Sequence, residues 1–343
     1  MNLSKNILYI FIFFILTACG SESGRQNSTI RFFQRAKLHL EKDEYNDAIR
    51  FLDQAIQEDS NFVDAYNNRG IAWFGLNDYI RAVEDYNSAI KIDSAFGNAY
   101  YNRANAWFEL GAFEKALEDL NQAVVILPDS VDVYTNRGTV YQKLGQFDEA
   151  IADFDKVIEL NPEDVTAYLN KGSIYFFFKK YDEAESLFKK SLEMGENSDF
   201  AYNNLGLLMA EKGDYETALD YLEKALKIKP AAPYYLNNRG FVKLMLGQLE
   251  AGQEDIKNSF FYDPNNAMAF RNLGIYQYKS GDSTAISTLQ KALEKNPAMD
   301  DIHFYLGNAY FTFGDKTKAC QEWEFSIEKG EKETIEDFEK NCK

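Results

Sequence analysis

Apolar and polar positions along this chain follow the period of a helix, and the helical pattern itself recurs. In the stretch Val131 to Asp164, Tyr134, Arg137, Gly138 and Tyr141 fall at i, i+3, i+4 and i+7, one stripe of an α-helix. Gly145 interrupts that stripe, and Ala150, Phe154 and Val157 form a second one before Pro162 closes the unit. The pattern predicts two short helices joined by a tight turn. Steps of 34 residues from Tyr66 meet Tyr100, Tyr134, Tyr168 and Tyr202. The same step from Gly70 meets Ala104, Gly138, Gly172, Gly206, Gly240 and Gly274, and from Ala48 it meets Ala82, Ala116, Ala150, Ala184, Ala218 and Gly252. A fixed period of this length predicts a stack of like units, each burying its apolar face against its neighbours.

With each unit numbered 1 to 34, facing positions of an antiparallel helix pair have a nearly constant sum, so 4 meets 27, 8 meets 24 and 11 meets 20. Large side chains then face small ones, and the two helices approach closely. Positions 7 and 23 face each other by the same rule. They hold Arg69 with Asp85, Arg103 with Asp119, Arg137 with Asp153, and Arg239 with Asp255, which predicts four ion pairs inside single units. Where position 7 is Leu205 or Leu273, position 23 is Tyr221 or Thr288; Lys171 facing Leu187 departs from this rule.

These positions resemble the tetratricopeptide repeat, with an aromatic at 4, Gly or Ala at 8, an aromatic at 11, Ala at 20 and 27, and Pro at 32. The resemblance extends over nine repeats, 29–62, 63–96, 97–130, 131–164, 165–198, 199–232, 233–266, 267–299 and 300–330. It implies an all-α fold, a right-handed superhelical solenoid of helix-turn-helix repeats. The first unit departs in carrying Phe32, Ala36 and His39 at its core positions, and the eighth is one residue short around Gly281 to Ala285. Residues 331–343 read as a polar capping helix with Ile335, Phe338 and Cys342 on its inner side.

Asn68, Asn102, Asn136, Asn170, Asn204, Asn238 and Asn272 occupy position 6 in seven successive repeats. Asn is a mediocre residue inside a helix, so seven in register call for a reason. The resemblance implies that position 6 looks onto a concave groove, where in some peptide-binding members an asparagine ladder holds the main chain of an extended ligand. An amide suits that task because it both donates and accepts. A local structural role, copied with the repeat, is the alternative. Phe177, at position 13 where other units carry Glu109, Lys143 or Glu211, is the expected aromatic anchor of the groove. The aromatics of position 12, Phe74, Phe108, Phe176, Tyr278 and Phe311, are expected to pack between repeats. Asp64, Asp132 and Asp301 at position 2 tilt the groove acidic, which favours a neutral or basic extended peptide.

The first residues read differently. Lys5 and the ten apolar residues Ile7 to Leu16 form a secretory signal, too short to cross a bilayer as a helix, which needs roughly 17–25 residues. Leu16-Thr17-Ala18-Cys19 is similar to a bacterial lipobox. That likeness implies a signal peptide over 1–18, lipid on Cys19 and a polar tether over 19–28. With Gly20 rather than Asp after Cys19, it implies the outer membrane, the stack facing the periplasm.

Composition narrows the function. Loss of the signal with its Lys5 takes the formal charge from −17 to −18. No basic block exists to neutralise phosphates, which argues against nucleic acid as a partner. The sequence holds no GxGxxG, GxxxxGK[ST], GxSxG, HExxH or CxxC. Its two histidines, His39 and His303, fall at core positions, so neither a cofactor, a metal nor catalysis is expected. Cys320 and Cys342 flank Gly330 at similar distances and are expected to form a disulfide in an oxidising compartment. The sequence therefore reads as a non-enzymatic scaffold that docks peptides or helices of envelope proteins. A glycan-binding surface lipoprotein, using the same amides and aromatics, is the alternative.

Overall fold

The computed structural model describes residues 28–195, 198–331 and 334–343, and among these the regular structure is helical with no strand. The expected signal segment, Cys19 and the tether up to residue 27 lie outside the described residues. The chain divides into two compact units, Met1–Asn170 and Lys171–Lys343.

The first unit opens with a helix over 28–40 (α1) and continues with α2 (Tyr45–Glu58), α3 (Val63–Gly75), α4 (Tyr79–Ile92), α5 (Gly97–Glu109), α6 (Phe113–Ile126), α7 (Val131–Lys143) and α8 (Phe147–Leu160). Hairpins α3/α4, α5/α6 and α7/α8 stack in order, each second helix packing on the next first helix. Next in the chain come α9 (Val165–Phe177) and α10 (Tyr181–Met194). In the second unit α11 (Asp199–Glu211), α12 (Tyr215–Ile228), α13 (Pro233–Met245), α14 (Leu249–Tyr262), α15 (Ala267–Lys279), α16 (Ala285–Lys295), α17 (Ile302–Thr312) and α18 (Lys316–Glu328) stack likewise, ending in α19 (Thr334–Cys342).

Each hairpin turn is made at position 15, where the backbone is left-handed. Gly111, Gly145, Gly213, Gly247, Gly281 and Gly314 hold φ between +72° and +89° there. Lys179 takes the same conformation at φ 57°. Its amide donates to Phe176 O at 2.9 Å, closing the end of α9 as a glycine would. A side chain in this region costs about 1–2 kcal/mol. Lys179→Gly is therefore expected to raise the denaturation midpoint by the equivalent of about 1 kcal/mol, less what glycine adds to the unfolded chain. An unchanged or lowered midpoint would show that the turn is held without strain.

The hairpins close on the small residue of position 8. A methyl carbon added at Gly138 would lie 2.8 Å from the ring of Phe154, which is completely buried. Gly70 meets Tyr86, Gly172 meets Phe188 and Gly206 meets Leu222 in the same manner. All four expected ion pairs form. Arg69, Arg103 and Arg137 each set Nη2 2.6 Å from its aspartate, and Arg239 sets its own at 2.7 Å from Asp255. Nε donates to the second carboxylate oxygen at 2.8 Å in every case, so each pair is a two-point fork. Arg103 Nη1 also donates to Asn87 and Arg137 Nη1 to Asn121, so these forks tie a hairpin to the one before it.

Two expectations need correction and one needs extension. The position 12 aromatics meet rings of their own hairpins, Phe74 with Tyr79 and Phe108 with Phe113, edge to face at 5.2 and 5.3 Å. They also face the next repeat, where Phe74 shares a concavity with Asn105 and Tyr278 bonds to Asn308. Phe176 and Phe311 likewise meet Tyr181 and Trp323 of the same hairpins. The short turn places positions 12 and 17 side by side, which a linear pattern does not reveal. Neither histidine is a core residue: His39 Nδ1 lies 2.6 Å from Glu44 and His303 Nδ1 2.7 Å from Glu322, both rings half-buried. Ile335 is exposed, because α19 begins at Thr334 and presents Thr334, Phe338 and Cys342 to the core. Thr334 is fully buried, its hydroxyl 2.5 Å from that of Ser326.

Cys320 and Cys342 are joined in a disulfide, with a Cα–Cα distance of 5.7 Å and a sequence separation of 22. Closing a loop of that length stabilises by about 3 kcal/mol in the chain-entropy model. Cys320→Ser combined with Cys342→Ser is expected to lose that amount, and reductant is expected to do the same to the wild type. Equal melts with and without reductant would show that α19 stays docked by packing alone.

Candidate functional site

Successive first helices lie side by side within each unit, α3, α5 and α7 in the first and α11, α13, α15 and α17 in the second. Their shared faces carry the asparagines of position 6. In the first unit Asn102 Nδ2 donates to Asn67 Oδ1 at 2.9 Å, and Asn136 Nδ2 to Asn105 Oδ1 at 2.7 Å and Tyr101 Oη at 3.2 Å. Asn68 Nδ2 donates at 2.8 Å to the carbonyl of Asp64, one turn back. In the second unit Asn238 and Asn272 donate to Asn203 and Asn237, both at 2.9 Å. Asn204 Oδ1 accepts from Asn203 at 3.3 Å. From α5 onward the amide donors thus reach mostly to the preceding first helix and tie repeats together. Asn170 is half-buried, and Phe177 is 66% exposed with its ring edge-on to Phe178 at 5.2 Å.

Two concavities lie on these faces. The one in the first unit, about 270 Å³, is walled by Phe74 of α3, Asn105, Phe108 and Glu109 of α5, and Asn136 and Thr139 of α7. It joins one member of the asparagine ladder to two aromatic rings. The one in the second unit, about 500 Å³, is walled by Glu211, Tyr215, Phe241, Met245, Tyr278, Lys279, Phe304, Tyr305 and Asn308 among others. Most of these residues stand at positions 5, 9, 12 and 13, which share a helix face with position 6. In repeats seven to nine this face turns aromatic, with Phe241, Tyr278 and Phe304 where repeat four has Thr139, Gln142 and Thr135. That change along the chain is the signal from which the second groove is legible.

The groove's tyrosines stay neutral. Burial raises the Tyr305 hydroxyl well above the ordinary tyrosine range against the opposing charge of Arg271. Burial pushes Tyr278 up to about 12 although its hydrogen bond to Asn308 works the other way. Both remain hydroxyl donors and acceptors at neutral pH. Lys212 at the rim is committed to Asp182 and Glu185, at 3.0 and 2.8 Å. Among the described residues no group of three or more His, Cys, Asp or Glu side chains is placed to hold a metal ion. Among the same residues no helix is long and apolar enough to cross a membrane.

Comparison with known proteins agrees with this geometry. Tetratricopeptide-repeat family models match residues 63–96 and 131–164, 163–231, and 283–324, and a TPR-repeat model matches 104–145. No curated protein matches the chain. Among solved structures, the chain is similar to one in the APC/C hetero-tetramer Cut9-Hcn1, with a TM-score of 0.62 and 14% identity over 81% of this chain; it spans 55% of that one. A tetratricopeptide repeat protein from Parabacteroides merdae aligns with a TM-score of 0.60 and 20% identity, over 72% of this chain and 98% of that one. PilF of Pseudomonas aeruginosa aligns with a TM-score of 0.55 and 20% identity, over 62% and 96%. At these identities the likeness concerns the fold alone. The chain is thus built of tetratricopeptide repeats, folded as an all-α solenoid of paired helices.

Proposed function

We propose that this protein is a non-enzymatic scaffold, lipidated on Cys19 and tethered to the outer membrane on its periplasmic side, that holds peptide or helix segments of envelope proteins against the first-helix faces of its repeats. The observation that carries this reading is the pairing of aromatic rings with amide groups in open concavities, Phe74, Phe108, Asn105 and Asn136 in the first unit. Rings supply apolar area at low entropic cost, and amides meet the donors and acceptors of any main chain. Tetratricopeptide repeats serve generally as protein-interaction scaffolds, which supports the same reading. The lipobox-like Leu16 to Cys19 supports the anchor.

Capture from detergent-solubilised envelope is the test. Bound material is expected to be destroyed by protease; protease-resistant, glycosidase-sensitive material would favour the glycan reading instead. Asn136→Ala, Asn170→Ala and Asn204→Ala together are expected to weaken capture several-fold while helix content is kept. Since Asn136 Nδ2 bonds to Asn105, a loss of about 1 kcal/mol in stability accompanies this. Unchanged capture would remove the ladder from the binding surface and leave it as a tie between repeats. For the anchor, fatty-acid labelling should vanish in Cys19→Ser and the protein should leave the membrane fraction.

A further inference from the structure

We infer that the outer face of α1 is a second contact with the membrane, where Arg31, Arg35, Lys37 and Lys42 meet the anionic headgroups of a phospholipid surface; the inference rests on the lipid anchor proposed above. In later repeats the first helix packs on the repeat before it through positions 3 and 10. Ala65 and Ala72 of α3 share a buried cluster with Ala48, Leu52 and Ala55 of α2, and Val133 and Val140 of α7 share one with Ala116, Leu120 and Ala123 of α6. Both positions stay buried from the second repeat to the seventh. The first repeat has Arg31 and Leu38 there, and both are exposed, Leu38 by 57%.

Helical geometry gathers what the sequence spaces apart. The exposed residues of α1 cover one arc, with Ile30, Gln34 and Leu38 at its centre, Arg31 and Arg35 on one side and Lys37 on the other. Lys42 follows in the turn after the helix, beside Glu41. The opposite side, with Phe32, Phe33, Ala36 and Leu40, packs into the core of the repeat. Among the described residues the ion pairs of this repeat are His39 with Glu44, Arg50 with Asp47, and Asp53 with Arg69 of the next repeat. None of the four outer cations is bound to a carboxylate. Arg31 and Arg35 lie 5.7 Å from the ring centres of Phe32 and Phe51, contacts that leave their charge in place.

The end of a solenoid needs only a polar outer face to stay soluble, and either sign of charge serves. At the other end of the chain α19 meets that need with Glu336, Asp337 and Glu339 against Lys340. In a chain of net charge −17, the helix next to Cys19 carries the opposite sign. The eight residues 20–27 reach at most about 30 Å even fully extended, so lipid on Cys19 keeps α1 at the bilayer. A basic helix face with an apolar centre binds an anionic surface through both charge and buried area. Salt screens charges beyond about 10 Å at 0.1 M, so that surface meets α1 and not the net charge of the chain. The lipid holds the protein at the membrane, and the basic face fixes which end of the first unit lies against it.

The test floats the mature chain, made soluble by Cys19→Ser, with vesicles of phosphatidylcholine alone or of equal parts phosphatidylcholine and phosphatidylglycerol. At low salt the anionic vesicles are expected to carry roughly tenfold more protein, a preference that declines as salt is raised. Arg31→Glu, Arg35→Glu and Lys37→Glu together are expected to abolish it with helix content kept, because all three side chains are exposed. Arg31→Lys with Arg35→Lys is expected to keep it, since charge and not a fixed fork makes the contact. Leu38→Ser is expected to weaken binding several-fold. Equal binding to both vesicles, or a preference that persists in the triple Glu variant, overturns the inference. Absence of vesicle binding overturns it too, and self-association lost in the same triple variant would then assign α1 to the acidic α19 of a second copy. The assay contains no lipidated cysteine, so these failures leave the anchor and scaffold readings standing. Absence of fatty-acid label from the intact protein removes the anchor and leaves the vesicle result as it is.

Discussion

Asp119→Ala is expected to destabilise the first unit by about 3–5 kcal/mol, the range for stranding one member of a buried ion pair. Asp119 is 5% exposed, and its two carboxylate oxygens accept from Arg103 Nε at 2.8 Å and Nη2 at 2.6 Å. Alanine leaves that guanidinium between two hairpins with only the amide of Asn87 to meet Nη1. Removing both charges is a different matter. Arg103→Leu with Asp119→Leu is expected to cost less than the single change, because two apolar groups of similar volume carry no desolvation penalty. The chain itself offers the precedent in Leu205, fully buried at position 7 of the sixth repeat. Thermal melts of the three variants followed by circular dichroism settle the order. A double variant less stable than Asp119→Ala would show that the fork contributes more than the cost of burying it.

Phe154→Ala should cost a comparable amount, about 3–5 kcal/mol, by leaving a ring-sized cavity. Phe154 is fully buried and faces Gly138, so nothing on the opposite helix can fill the space. Gly138→Ala alone is also expected to destabilise, by about 1–3 kcal/mol, since its methyl group would meet the Phe154 ring. In the Phe154→Ala background the same change should become favourable, because alanine is the better helix former and the ring is gone. The cycle is therefore strongly non-additive. If Gly138→Ala proves equally harmful with and without the ring, the facing relation between positions 8 and 24 is not what limits the approach of α7 and α8. Both losses should stay local in a stack that couples nearest neighbours, so partial melting of the first unit is the form they are expected to take.

These two sites were legible before any coordinates because both are decided within one hairpin. The period of the helix and a turn of constant length place position 7 opposite 23 and position 8 opposite 24. The functional face was less legible. The asparagine register stood out in the sequence, yet Asn102, Asn238 and Asn272 spend their donors on the preceding repeat. Phe177 stands out in the sequence at position 13 and is exposed on α9, whereas Phe241, Phe304 and Tyr305, which wall the second unit's concavity, look like ordinary members of the repeat.

The amino-acid sequence by itself determined the helical hairpin, its repeat count and the ion pairs inside each repeat, because local geometry and short loops leave one solution for them. Tertiary structure alone decided what passes between repeats: the second reach of Arg103 and Arg137 to the preceding hairpin, and the amide bonds of Asn102, Asn238 and Asn272 to the preceding first helix. The reason is that packing between repeats depends on the angles at which helices cross and on how far each side chain extends. Contacts drawn from two repeats at once are contained in no single stretch of sequence.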